Sequence, residues 1–303
     1  MSAVKQLSQT RRSARFEYQH FDSSEDASFN RSDIDRDPTW CCAIGSDTVD
    51  LIEHKRYFVN GVCIDLAGRL DAQRMSTLDI PPEVELPEFS KRFHTTKVEV
   101  RNQTQTEAAR TARHGVFRVL TVMPTDGNQP GGRLLTGGRG TEEFLCRSTT
   151  ILASIADRSM YPFHRQFSPQ VATDWAILCP GVSVVREDDG TLIPSPWAID
   201  VLAMCPPKTH DVKEVAIYSV LRQRFLRMFS IAAAFGYDRV ILPPFATGVY
   251  GTHPEVVADA MAEILVRPFR GTFDRIVFAS PDWSPDRRYS RPFHKRFSQL
   301  QTV

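Results

Sequence analysis

What this chain lacks narrows its function before any motif is read. No two of its cysteines form a C-x-x-C pair and no histidines stand at H-x-x-x-H spacing. Zinc modules and dithiol redox motifs are therefore not written in it, and the neighbours Cys41 and Cys42 cannot easily chelate one metal. Neither sign of charge is in excess: 37 basic against 36 acidic residues leave a net charge of +1, which implies no bulk nucleic acid as partner. No apolar run approaches the roughly 18 residues of a membrane span. The opening MSAVKQLSQTRRSARFEYQH lacks the apolar stretch of a secretory signal. It is somewhat basic and contains serine, so an organelle address or a non-classical secretion route stays open beside a cytoplasmic or otherwise intracellular location. Internal repeats, low-complexity arrays and heptads are missing too. These absences point to an intracellular protein that needs no metal and no cofactor, with its oligomeric state left unset.

What is present is ordinary for a globular protein: 303 residues, 42% apolar, enough for one large domain or one domain with an appendage. Cys63, Cys146, Cys179 and Cys205 sit in apolar runs, where a thiol behaves as a small hydrophobe. Residues 1–38 are polar and charged and read as a mobile tail. Residues 39–95 read as an N-terminal accessory arm, with a strand pair around the Asn60-Gly61 turn and a proline-bearing extended connector over 77–95. From residue 96 the pattern alternates. Strands are expected near 97–103, 117–123, 175–187 (two, broken at Pro180-Gly181), 198–204, 238–244 and 273–280. Helices are expected over 104–113, 141–156, 212–235 and 254–267. Such alternation predicts an α/β fold, with helices on both faces of a sheet and ligands at the carboxyl ends of its strands.

Two glycine loops follow strands and can meet at one crevice. The first, Asp126 to Arg133 and on through Gly137, Gly138 and Gly140, is neither a Walker A sequence nor a Rossmann fingerprint. It is either a flexible surface loop or a backbone cradle for a ligand. The second, Ala246-Thr247-Gly248-Val249-Tyr250-Gly251-Thr252, joins a strand to a helix start, where exposed N–H groups and the helix dipole favour phosphate. Its bland alternative is a tight turn. Glu142 and Glu143 open a helix directly after the first loop. They are favourable first-turn residues on any reading, and their closeness can also lift one pKa toward that of a useful acid.

Pro130-Gly131-Gly132-Arg133, seven residues, Thr141-Glu142-Glu143 and then Leu145-Cys146-Arg147 form an ordered signature. It resembles that of the microbial-type poly(ADP-ribose) glycohydrolases, whose pattern is P-G-G-G followed by Q-E-E and usually Leu-Cys-Arg. VEVRNQTQTEAARTAR, SMYPFH, DWAILCPGVSVVRED and ILPPFATGVYGTHPEVVADAM are similar to further family segments in the same order, and HKRYFVNGVCIDL weakly so. Together these cover about two-thirds of the chain. The resemblance implies a macrodomain-like three-layer α/β/α sandwich with a mixed central sheet over 96–303, preceded by the accessory region. It implies ADP-ribose, free or carried on a protein or polymer, as the ligand. Glu143 would be the catalytic acid/base and Glu142 would orient ribose hydroxyls. Gly131, Gly132 and Arg133 would hold the distal ribose with Asp126 and Thr141. Thr247, Gly248, Val249, Tyr250 and Gly251 would wrap the diphosphate. Three positions depart from the pattern: Arg133 replaces the third glycine, Thr141 the glutamine, and Asp126 aligns with an asparagine. A non-catalytic reader of ADP-ribose is the alternative these departures raise. A macrodomain-like fold acting on another nucleotide, or an interaction protein with purely structural loops, completes the range. RRYSRPFHKRF near the C-terminus reads as a solvated face or a partner contact.

Overall fold

The computed structural model describes residues 15–20, 37–167, 172–208, 214–282 and 284–302. Alternating apolar residues drive its architecture. In RVIL (Arg239–Leu242), Val240 and Leu242 face one layer of helices while Ile241 faces the other. The same two-sided burial holds along β5 (Thr95–Arg101), β6 (Val119–Pro124), β8 (Leu192–Met204), β9 (Arg239–Leu242) and β10 (Arg275–Ala279). With β1 (Arg15–His20), β4 (Leu78–Ile80) and β7 (Ala176–Arg186) they form one eight-stranded sheet of order β1-β5-β10-β9-β6-β8-β7-β4. Neighbours from β1 through β8 run parallel, whereas β7 and β4 each pair antiparallel with the strand before them. The helices Glu214–Ala234, Pro254–Val266 and Arg291–Ser298 pack on one face. Gln105–Ala112, Thr141–Ser148, Leu152–Ile155 and Met160–Phe167 cover the other. This is the expected α/β/α sandwich on a mixed sheet.

Several local expectations hold for the reasons that suggested them. Asn60 and Gly61 take φ of 49° and 78° between β2 (Arg56–Val59) and β3 (Val62–Asp65), the left-handed pair of a type I′ hairpin. Thr104 caps the Gln105–Ala112 helix by accepting from the Glu107 N–H. Pro254 opens its helix at the first turn.

Others are corrected. The helix expected over 141–156 breaks at Thr149, whose φ of −138° and ψ of 170° are extended and which bridges Val184. There the Thr150 N–H donates to the Ser183 carbonyl and its hydroxyl to Gln73 Oε1, so β-branched threonines bond outside the helix. The two strands expected over 175–187 are one strand with a bulge, where the Gly181 N–H donates to Asp200 Oδ1. Within the expected tail, Arg15–His20 is an edge strand, and the Tyr18 hydroxyl meets His294 Nδ1 at 2.5 Å; residues 1–14 and 21–36 lie outside the described residues. The expected helix start at 212 also lies outside them. The accessory region is tied into the sheet: β4 forms its far edge, and the helix Pro38–Glu53 packs against the Thr141–Ser148 helix and the first glycine loop. Cys63 is exposed on its hairpin rather than buried, and none of the six cysteines is in a disulfide.

RRYSRPFHKRF is neither a solvated face nor a partner contact throughout. Its helix Arg291–Ser298 buries Phe293 and Phe297 against Phe278, with ring centroids at 5.0 and 4.8 Å. Phe297→Ala is therefore expected to lower the unfolding free energy by about 3–5 kcal/mol in urea denaturation. A solvated face would lose no more than about 0.5 kcal/mol.

Candidate active site

β6 and β9 are paired parallel neighbours, so the chain leaves both at the same sheet edge. The loop 125–140 follows one and the loop 243–253 the other, and the two glycine loops consequently stand side by side. Between them opens a crevice of about 1170 Å³. That is ample for a dinucleotide-sized ligand, since small-molecule pockets run to roughly 1,000 Å³.

The first loop is held by Glu142. Its side chain is buried, 5% exposed, and receives three hydrogen bonds from the loop. The Thr125 hydroxyl donates to Oε1 at 2.5 Å, the Gly131 N–H to Oε1 at 3.0 Å and the Asp126 N–H to Oε2 at 2.7 Å. The Thr125 hydroxyl lies 3.0 Å from that of Tyr161, which extends the network into the core. Burial pushes the Glu142 carboxyl from its ordinary 4.5 up to about 8, against the opposing pull of the Thr125 and Asp126 hydrogen bonds. Glu142, expected to orient ribose hydroxyls, thus has both oxygens engaged by the loop.

Glu143 meets the same loop from the next position of the helix. Its Oε1 accepts the Arg133 N–H at 2.9 Å. Glycines make the approach possible: a Cβ on Gly132 would stand 2.7 Å from Glu143 Oε1 and 3.0 Å from Glu142 Oε2. Gly132 also has a φ of +55°, which favours glycine. A Cβ on Gly138 or Gly140 would likewise fall 2.7 Å from a Glu143 carboxylate oxygen. One turn further on, the buried Arg147 donates to the Gly138 carbonyl at 2.5 Å, and burial lowers its pKa.

Across the crevice, Ala246, Gly248 and Gly251 all take positive φ, at 65°, 61° and 86°. The Thr252 N–H closes the loop onto the Ala246 carbonyl at 3.2 Å, directly before the Pro254–Val266 helix. Burial pushes the Tyr250 phenol well up, and Glu142 adds to that shift. Asp126 turns its own loop, Oδ1 accepting from the Asn128 N–H at 2.8 Å, while Oδ2 lies 3.9 Å from Lys208 Nζ.

Ten of the twelve expected site residues border this one crevice. Gly131 and Gly251 stand behind it, Gly131 as the donor to Glu142. Sequence reasoning missed a further wall. Trp40, Cys41 and Ile44 come from the Pro38–Glu53 helix, Gln105 from the Gln105–Ala112 helix and Asp188 from the turn after β7. Asp188 accepts the Thr104 and Thr106 hydroxyls at 2.6 Å each, and burial raises its pKa. The one signal in the chain was the Asp189-Gly190 turn: Gly190 takes a φ of +91°, and a Cβ there would stand 2.6 Å from the Trp40 ring.

A macrodomain-like sandwich with this crevice matches known structures. Poly(ADP-ribose) glycohydrolase from Thermomonospora curvata superposes with a TM-score of 0.78 at 29% identity, covering 85% of this chain and 99% of that one. The same enzyme bound to the inhibitor ADP-HPD gives 0.77 at 28%, with the same shares covered. The Deinococcus radiodurans glycohydrolase in complex with ADP-ribose gives 0.69 at 25%, covering 78% and 100%. Residues 45–187 match the family described as microbial-type PARG, catalytic domain. No curated protein gives a significant match. The chain is therefore similar to the microbial-type poly(ADP-ribose) glycohydrolases in both sequence and fold.

The raised Glu142 carboxyl fixes the sign of a pH effect. Between its ordinary 4.5 and about 8 the folded chain holds a proton that the unfolded chain has lost, so this group's contribution to stability falls as pH rises through that interval. Glu142→Gln cannot titrate, and its amide nitrogen meets a backbone N–H, a mismatch costing about 1–3 kcal/mol. The wild type's stability advantage over this variant is expected to shrink from about pH 5 to about pH 8. Urea denaturation at several pH values checks it, and a pH-independent difference would contradict it.

Proposed function

We propose that this chain is an ADP-ribosyl glycohydrolase that cleaves the bond between the anomeric carbon of ADP-ribose and its acceptor, with Glu143 as acid/base. The observation that carries the reading is the placement of Glu143. Its carboxylate borders the crevice at the start of a helix, is met closely by glycine backbone and is anchored through one oxygen. In the reaction, Glu143 protonates the leaving oxygen as the glycosidic bond breaks and then takes a proton from the water that attacks the oxocarbenium-like centre. Glu142 acts mainly by holding the first loop, while Asp126, Gly132, Arg133 and Thr141 border the distal ribose. Thr247, Gly248, Val249 and Tyr250 receive the diphosphate, with Gly251 supplying the turn behind them. Binding of ADP-ribose by the Deinococcus radiodurans relative and of ADP-HPD by the Thermomonospora curvata one supports the ligand class.

A second reading, a binder without turnover, is favoured by one observation: Arg133, whose main chain meets Glu143, adds an exposed arginine to the lining of the crevice. Release of ADP-ribose from poly- and mono-ADP-ribosylated substrates, followed by mass spectrometry, separates the two. Wild type is expected to release it, and Glu143→Gln to do so about 10²–10⁴-fold more slowly while still binding ADP-ribose. ADP-ribose binding without release by the wild type would leave the binder.

A further inference from the structure

A second groove, of about 520 Å³, opens on the face of the sheet opposite the Thr141–Ser148 helix. One wall is the Glu214–Ala234 helix, which contributes Gln223, Leu226 and Arg227 at the three- and four-residue spacing of a single helical stripe. The other wall is the strap 81–90, PPEVELPEFS, whose prolines at 81, 82 and 87 keep it out of helix and sheet. The strap is anchored at both ends. Arg227 donates to the carbonyls of Pro81 and Val84 at 2.8 Å each, and the N–H groups of Arg92 and Phe93 donate to the Gly271 carbonyl at 2.9 Å. Between the anchors Phe89 stacks on Phe269 with ring centroids 5.2 Å apart, and Leu86 packs against the core.

The groove is apolar inside and acidic at its rim. Pro87, Phe89 and Leu226 line it and are exposed, and the strap carries Glu83, Glu85 and Glu88 with no basic residue. None of these glutamates forms a salt bridge among the described residues, whereas Arg227 is engaged by the strap and Arg224 by Asp174. Such a rim repels a polyanion, which sets aside nucleic acid and a further unit of poly(ADP-ribose) as occupants. A long cationic side chain suits both features, since its stem covers apolar surface while its head reaches a carboxylate. A guanidinium also stacks on an aromatic ring such as Phe89. The groove ends near the crevice. Asp174 in its lining accepts from Arg224 Nε at 2.6 Å, Arg224 donates to the Cys205 carbonyl, and a Cβ on Gly127 of the first loop would stand 3.0 Å from Cys205 Sγ. We propose that this groove docks the polypeptide that carries ADP-ribose, and that it takes an extended flank bearing lysine or arginine. The inference rests on the glycohydrolase reading and names the acceptor class, a protein segment with a basic flank recognised away from the scissile bond.

The test uses the full chain with Glu143→Gln, so that binding is read without turnover. Dissociation constants are measured for ADP-ribose and for serine-linked ADP-ribosyl peptides whose flank is basic, neutral or acidic. The flank is set about three to eight residues from the serine, since an extended chain reaches about 3.3–3.6 Å per residue. The basic peptide is expected to bind about tenfold more tightly than the neutral one, and this advantage should shrink as salt rises. Glu85→Lys with Glu88→Lys, both exposed and outside the crevice, should erase the advantage and leave ADP-ribose affinity within about twofold. A photo-reactive group beside the basic residues should cross-link within 82–89 or 223–230. Equal affinity for the peptides, an advantage that survives the double substitution, or cross-links outside the groove would overturn the inference and leave the glycohydrolase reading standing. Self-association abolished by the double substitution would also overturn it, by giving the groove to a second copy of the chain. Failure to bind ADP-ribose would overturn the glycohydrolase reading, while the unmodified basic peptide would still test the groove through the same cross-links.

Discussion

The side-chain oxygens of Glu142 tie a glycine-rich loop to the helix that also bears Glu143. Three loop donors converge on them: the Thr125 hydroxyl and the N–H groups of Asp126 and Gly131. Without this tie, a segment with several glycines would sample many conformations, because glycine loses the most entropy on ordering. With it, the next residue along the helix, Glu143, meets the loop at Arg133 and Gly132. The division of labour between adjacent glutamates is therefore set by hydrogen bonding and burial: one carboxyl is spent on architecture, and its neighbour remains at the crevice wall.

The sheet makes this arrangement useful. Six parallel strands end at one edge, so loops distant in sequence converge there, and those after β6 and β9 face each other because those two strands are paired. Beneath them, the buried Phe225 packs against Phe245 of the loop after β9, with ring centroids 5.8 Å apart. The N-terminal region joins the same assembly from both ends, through the sheet edge at Leu78–Ile80 and the wall that Trp40 builds against Gly190.

Much of this was legible in the sequence because it depends on local rules. Strand alternation, the Asn60-Gly61 hairpin, the Thr104 cap and the two glycine loops each carry a local signature, and the loops marked ten of the residues that border the crevice. What was not legible depends on distant partners. Thr149 and Thr150 look helical until Ser183, Val184 and Gln73 are there to bond them. Trp40 and Asp188 gain meaning only where the Pro38–Glu53 helix and the end of β7 meet. The C-terminal RRYSRPFHKRF reads as charged surface because its basic residues outnumber its phenylalanines, yet helical spacing gathers Phe293 and Phe297 on one buried stripe. At Arg133, which stands where the resembling family has its third glycine, the backbone bond to Glu143 is kept while an arginine side chain is added to the crevice lining.

Gly132→Ala tests most directly the proposed dependence of activity on a Glu143 positioned by close glycine backbone: its methyl group would intrude on both carboxyl groups at a residue outside the buried core clusters. The measurement is the single-turnover rate of ADP-ribose release, taken with the cooperative unfolding transition as a control on folding. A folded variant whose rate falls by about 100-fold is expected, the cost of displacing the proposed catalytic group by about an ångström. A folded variant that turns over within about threefold of wild type would contradict it.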